Sequence, residues 1–203
     1  MVATSGSGHL QVLPLAIPDV KSIIARRHAD ARGFISETFN RRDLAAAGID
    51  FDGVQDNQSV SLRRGTVRGL HFQAPPFAQA KLVRVTRGAI FDVAVDLRRG
   101  SPSFGRHVSL MLNAADGGQI FVPKGFAHGF CTLEPDTEVL YKADNYYSKQ
   151  HEGGIRWNDP ALAIRWPVST GVAIVSERDS AQPLLKDIAA VFSPEDPAKA
   201  GAR

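Results

Sequence analysis

The chain predicts an all-β protein, a sandwich or barrel for which a jelly roll is the natural size match. Three observations predict it. Short β-prone runs recur along the chain, Gly, Pro, Asn or Asp punctuates most of the joins, and one stretch alone reads well as a helix. With 203 residues, 43% of them apolar and 22% charged, the chain is long enough for one domain with a sizeable core.

Taken in order, residues 1–9 are small and polar and read as a disordered tail. The last eleven, from Ser193, are rich in Pro, Ala and charge and read as a flexible one. Residues 10–192 form a single domain, with no linker, repeat or second composition zone between the tails. Leu10 to Ile17 is short, broken by Pro14 and preceded by no basic segment, so it does not read as a signal peptide. Val20 to Ala25 suits a strand. A tight turn follows at Asp30-Ala31-Arg32-Gly33, then a second strand at Phe34 to Phe39. Arg41 to Ala47 is the helix, stopped by Gly48. Gln55 to Ser59 reads as a polar loop leading into a central strand, Thr66 to Gln73.

Lys81 to Thr86 and Ala89 to Leu97 give two strands around Arg87-Gly88. In the second, Phe91, Val93, Val95 and Leu97 share one face, and Asp92 and Asp96 share the other. Further strands are expected at Arg106 to Leu112, Gln119 to Val122, Ala127 to Leu133 and Glu138 to Ala143.

Absences narrow the function. No stretch has the length of a transmembrane helix. The formal charge is only +3 although the pI is about 9.2, and the basic residues are scattered, which argues against a nucleic-acid groove but suits a few contacts to a pyrophosphate. The single cysteine, Cys131, lies in an apolar run and reads as core, in keeping with a reducing cytoplasm. No Gly-rich phosphate fingerprint opens a helix, no G-x-S-x-G offers a nucleophilic serine, and no Cys cluster suits zinc. One metal reading stays open: His28 and Asp30 at H-x-D spacing as two legs of a non-haem iron triad, with His128 or His151 as the third.

What remains is acid–base chemistry on a bound small molecule. The stretch Thr66 to Gln73 carries His71, whose ordinary pKa near neutrality suits a general base. Read alone, it is equally a strand with a hydrogen-bonded core histidine. Arg68 and His71 differ by three, so a regular strand turns them to opposite faces. They serve one site only if Gly69 permits a bulge, or if Arg68 reaches a partner subunit's site.

The order of several blocks then resembles the dTDP-4-dehydrorhamnose 3,5-epimerase family. These are Ala31-Arg32-Gly33-Phe34 with Glu37, Gln55-Asp56-Asn57, Arg68-Gly69-Leu70-His71-Phe72-Gln73, Lys81-Leu82-Val83-Arg84 and Phe91-Asp92-Val93-Ala94-Val95-Asp96. They continue with Pro123-Lys124-Gly125-Phe126-Ala127-His128-Gly129-Phe130, Tyr141-Lys142, Glu152-Gly153-Gly154, Trp157-Asn158-Asp159-Pro160 and Ser176-Glu177-Arg178-Asp179. The likeness runs from about Ile17 to Leu185. It implies a double-stranded β-helix, the cupin jelly roll, a cytoplasmic homodimer with no cofactor and no metal, acting on a dTDP-4-keto-6-deoxy sugar. His71 has no H-x-H partner of the kind that metal-binding cupins carry.

The resemblance also implies roles. His71 matches the base, Asp179 the carboxylate that holds its imidazole, Lys81 the cation at the ketone oxygen, and Tyr141 the acid on the opposite face. Arg32, Glu37, Gln55, Asp56, Asn57, Arg68, His128, Glu152 and Arg178 match nucleotide-sugar contacts. Asp92 is held in reserve as the partner of His71. Arg178 stands where members often carry lysine, and Phe39 where tyrosine is common. The implied reaction converts dTDP-4-dehydro-6-deoxy-D-glucose to dTDP-4-dehydro-L-rhamnose. The alternatives are an epimerase of one carbon only, a non-catalytic sugar-nucleotide-binding jelly roll and a metal-dependent oxygenase.

Overall fold

The computed structural model describes residues 10–192. In chain order it forms β1 (Leu10–Pro14), β2 (Lys21–Ala25), β3 (Arg27–Asp30), β4 (Gly33–Ser36), α1 (Arg41–Ala46), β5 (Gln55–Ser61), β6 (Val67–Gln73) and β7 (Lys81–Arg87). There follow β8 (Ala89–Asp96), β9 (His107–Asn113), β10 (Gly118–Val122), β11 (Phe126–Thr132), β12 (Thr137–Ala143), β13 (Glu152–Gly154) and α2 (Glu177–Ser180). A six-stranded sheet in the order β1-β2-β10-β7-β12-β5 stacks on a five-stranded sheet in the order β13-β6-β11-β8-β9, and β3 pairs only with β4. The expected tails, 1–9 and 193–203, lie outside the described residues. Among the described residues, no helix is long and apolar enough to cross a membrane.

Strand periodicity divides the apolar residues among three layers. Between the sheets lie Val83, Val85, Ile90, Ala94, Val108, Ile120, Val122, Phe126, Phe130 and Val139. Outside the six-stranded sheet, Leu44, Ile49 and Phe51 from the α1 region cover Val12, Ile23, Leu82 and Phe121. Outside the five-stranded sheet, Ile155, Leu162 and Phe192 cover Leu70, Val93, Val95 and Leu97. Both faces of β8 are therefore buried, and the face carrying Asp92 and Asp96 looks into the sandwich, where both are fully enclosed.

Three expectations need correction. Gln55 to Ser59 is not a loop but part of β5, an edge strand paired with β12. Its inward residues Gln55, Asn57, Ser59 and Ser61 are polar, so no hydrophobic alternation marks it. Leu10–Pro14, to which no strand was assigned, is an edge strand whose proline ends it, a place where a missing N–H is tolerated. The strand expected at Phe34 to Phe39 stops at Ser36, inside the ribbon that turns at Ala31-Arg32.

The parity of Arg68 and His71 is settled by a bulge. His71 lies opposite His128 and Arg68 opposite Phe130, so the step between them is one residue longer on β6 than on β11. Gly69 has φ +121°, and a Cβ there would sit 2.6 Å from the Gly129 Cα and 2.7 Å from the His128 carbonyl oxygen. The extra residue swings Arg68 onto the face of His71. Gly69→Ala is expected to lower unfolding stability by about 3 kcal/mol, read by urea denaturation, because backbone blocks the new methyl. A change within about 0.5 kcal/mol would show that the bulge adapts.

Candidate active site

The bulge and the alternation of the strands bring one polar cluster to the mouth of the sandwich, above the apolar layer. His71 Nε2 lies 2.6 Å from Asp179 Oδ1. The other oxygen of Asp179 accepts from the Gly69 N–H at 3.2 Å. Asp179 is placed by α2, whose N-cap, Ser176, accepts from the Asp179 N–H at 3.0 Å. Burial by itself raises the Asp179 carboxyl. The hydrogen bond and charge of His71, with the Gly69 N–H and Ser176, outweigh that and hold it below the usual carboxylate range. An ionised carboxylate only accepts, so Nε2 donates and the lone pair of neutral His71 is left on Nδ1.

Tyr141 comes from the opposite sheet, on β12, partly buried against the apolar layer. Burial pushes its phenol above its ordinary value, the Arg68 charge opposing and Glu152 adding to the rise. It therefore stays protonated at neutral pH, as an acid must. Lys81, on the neighbouring strand β7, places its Nζ 5.9 Å from the centre of the Tyr141 ring. Burial lowers the Lys81 ammonium to about 8, against the pull of Asp92 and Glu152.

Around this set, Glu152 pairs with Arg178 and accepts from the Tyr147 hydroxyl at 2.6 Å. Arg68 donates to Ser61 Oγ and to the Val60 carbonyl, each at 3.1 Å. Gln55 donates to Asn57 at 3.0 Å, both on the inner face of β5. Asp92, the reserve partner of His71, is instead bonded to His128 Nε2 at 2.8 Å. Tyr147 was given no role by the sequence reading.

Three candidates are not brought here. Asp56 alternates to the outer face of β5 and pairs with Lys142 Nζ at 2.8 Å. Arg32, its side chain 90% exposed, pairs with Asp30 at the tip of the ribbon. Glu37 accepts from Asn40 at 3.2 Å. A cavity of about 310 Å³ is lined by Thr38, Asp56, Gln58, Arg84 and Lys142, with Asn57 and Tyr141 also on its wall, whereas His71, Lys81 and Asp179 do not line it. Among the described residues no three His, Cys, Asp or Glu side chains converge as ligands. The iron-triad reading finds no third leg, since His128 is bonded to Asp92 and His151 to Ser148.

The model of the family described as dTDP-4-dehydrorhamnose 3,5-epimerase matches residues 14–187. The chain belongs to this family. A relative of that name from Sinorhizobium fredii is 51% identical over 88% of this chain and 91% of its own. A family structure from Bacillus anthracis, solved with TDP and PPi bound, is 48% identical, has a TM-score of 0.83 and covers 86% of this chain and 99% of its own. Another, from Legionella pneumophila in complex with dTDP-4-keto-L-rhamnose, is 39% identical with a TM-score of 0.86, over 91% and 98%. The family fold is the cupin jelly roll, and its members are isomerases. The bulged central strand with its histidine and the buried cluster around it are thus set in a fold already used for epimerisation.

Proposed function

We propose that the chain converts dTDP-4-dehydro-6-deoxy-D-glucose to dTDP-4-dehydro-L-rhamnose, inverting carbons 3 and 5 beside the C4 ketone. One observation carries the reading: a carboxylate-held imidazole on one sheet, and a protonated phenol with a cation beside it on the other, share Glu152 as a charged neighbour. Inversion needs both a base and an acid.

His71 Nδ1 takes the proton on the carbon next to the ketone, and the C–H electron pair moves into an enolate. Asp179 stabilises the resulting imidazolium. Lys81 faces the ketone oxygen, where a fixed cation is most effective as negative charge develops. Tyr141 then gives its proton to the same carbon from the opposite side, and solvent takes the proton from His71 and returns one to Tyr141. The second carbon repeats the sequence. Electrons balance without an oxidant, so no cofactor is needed.

Gln55, Asn57, Arg68, His128, Glu152 and Arg178 are the contacts proposed for the nucleotide sugar, the guanidinium forks suiting a pyrophosphate. Arg32 and Glu37 are assigned to the site of a second copy in a homodimer. Supporting this, the ribbon that carries Arg32 pairs only with itself and exposes Phe34 at 58% and Ile35 at 74%. Asp56 keeps its place among the contacts only through that second copy. A cytoplasmic location fits a nucleotide-sugar substrate.

The test is incubation with the substrate in deuterated water and excess chelator, followed by NMR. Deuterium at both carbons with inversion is expected. Exchange at one carbon reassigns the chain to a single-carbon epimerase. No exchange leaves a binding protein, and activity lost to chelator but restored by one ion restores a metal reading.

A further inference from the structure

Behind the groups assigned to the sugar lies a carboxylate that the steps above do not use. Asp92 on β8 is completely buried. Its Oδ2 is bonded to His128, and its Oδ1 has no hydrogen-bond partner among the described residues. A bare buried carboxylate oxygen is destabilising, and an asparagine would serve His128 as well at lower cost. The charge itself therefore needs a reason.

Lys81 supplies it. Its ammonium makes no ion pair or hydrogen bond to any described residue, so it is held by the surrounding field. The Tyr141 ring on β12 lies 5.9 Å from it, and the charges that act on it are those of Asp92 on β8 and Glu152 on β13. Of the two carboxylates among these, Glu152 is already paired with Arg178 and bonded to Tyr147. Asp92 alone has an oxygen left over.

We propose that Asp92 is a positioning residue: a buried counter-charge that keeps Lys81 an ammonium ion while holding His128, without itself touching the sugar. Its importance for catalysis rests on the role given to Lys81 above. Burial lowers Lys81 to about 8, and Asp92 is the foremost influence opposing it. Burial likewise raises Asp92, against His128 and Lys81. Each charge makes the other tolerable.

The experiment is Asp92→Asn, which keeps the shape and an oxygen for His128. The alkaline limb of kcat/KM, which Lys81 places near pH 8 in the wild type, is expected to fall by about one pH unit, with dTDP affinity unchanged. The variant then loses about fourfold more activity at pH 8 than at pH 6.5. Adding Lys81→Arg, whose guanidinium stays charged, should remove that shift. An unmoved limb in a folded, dTDP-binding Asp92→Asn protein overturns the proposal.

NMR of the Lys81 13Cε in ligand-free protein follows the same titration without any substrate. A wild type that fails to exchange the sugar therefore defeats the reaction reading, while the NMR shift still decides the coupling. If Asp92→Asn does not fold, the 13Cγ of Asp92 in the wild type decides. An ionised carboxylate at pH 7 supports the counter-charge, and a protonated one overturns it.

Discussion

Replacing His71 with alanine should abolish deuterium exchange at both sugar carbons, by a factor of about a thousand or more, while dTDP still binds. With Nε2 bonded to Asp179, the imidazole keeps Nδ1 free to accept a proton. Lys81 is a cation below about 8, Tyr141 is held protonated by burial, and Asp179 has its oxygens occupied by His71 and Gly69. None can take the proton instead. The alanine variant also strands the Asp179 carboxylate, so His71→Asn is the matched control, since its amide can still donate to that oxygen. Loss of exchange in both, with dTDP affinity within a few-fold of the wild type, supports His71 as the base. Exchange at the wild-type rate in either removes it from the mechanism.

Tyr141→Phe separates the acid from the base. The ring packs against the apolar layer, and phenylalanine keeps that packing while deleting the hydroxyl. His71 can still remove a proton and return one from solvent on its own face. The variant should therefore wash deuterium into the sugar with configuration retained at one carbon at least, and its rate of double inversion should fall by about a hundredfold or more. NMR reads both quantities in one sample. Normal double inversion would exclude Tyr141 as the acid and leave water or another side chain in its place.

Both variants exploit a separation that the fold creates. The proposed base comes from the five-stranded sheet and the proposed acid from the six-stranded sheet. Alternation along β6 and β12 aims them inward, and the bulge at Gly69 brings Arg68 to the same side. A regular β6 would have turned either the arginine or the histidine into the outer apolar layer.

The sequence by itself determined the strand-rich class and most strand positions from Lys81 onward, which follow from local properties, period-two alternation and turn residues. The proposed acid–base set of His71, Lys81, Tyr141 and Asp179 came from the resemblance to the family. Local pattern missed β5 because strand alternation is visible only when the inward face is apolar, and here that face is polar. The resemblance named Asp179 as the partner of His71 and kept Asp92 in reserve. Tertiary structure decided between them, because a hydrogen bond between positions 108 apart depends on how β6 and α2 are brought together, which no local pattern encodes. The same register gave Asp92 to His128, turned Asp56 away from the site, and converted the parity of Arg68 and His71 from an obstacle into a shared face. Residue types state what chemistry is available; strand register decides which groups meet, because it is set by packing between segments far apart in the chain.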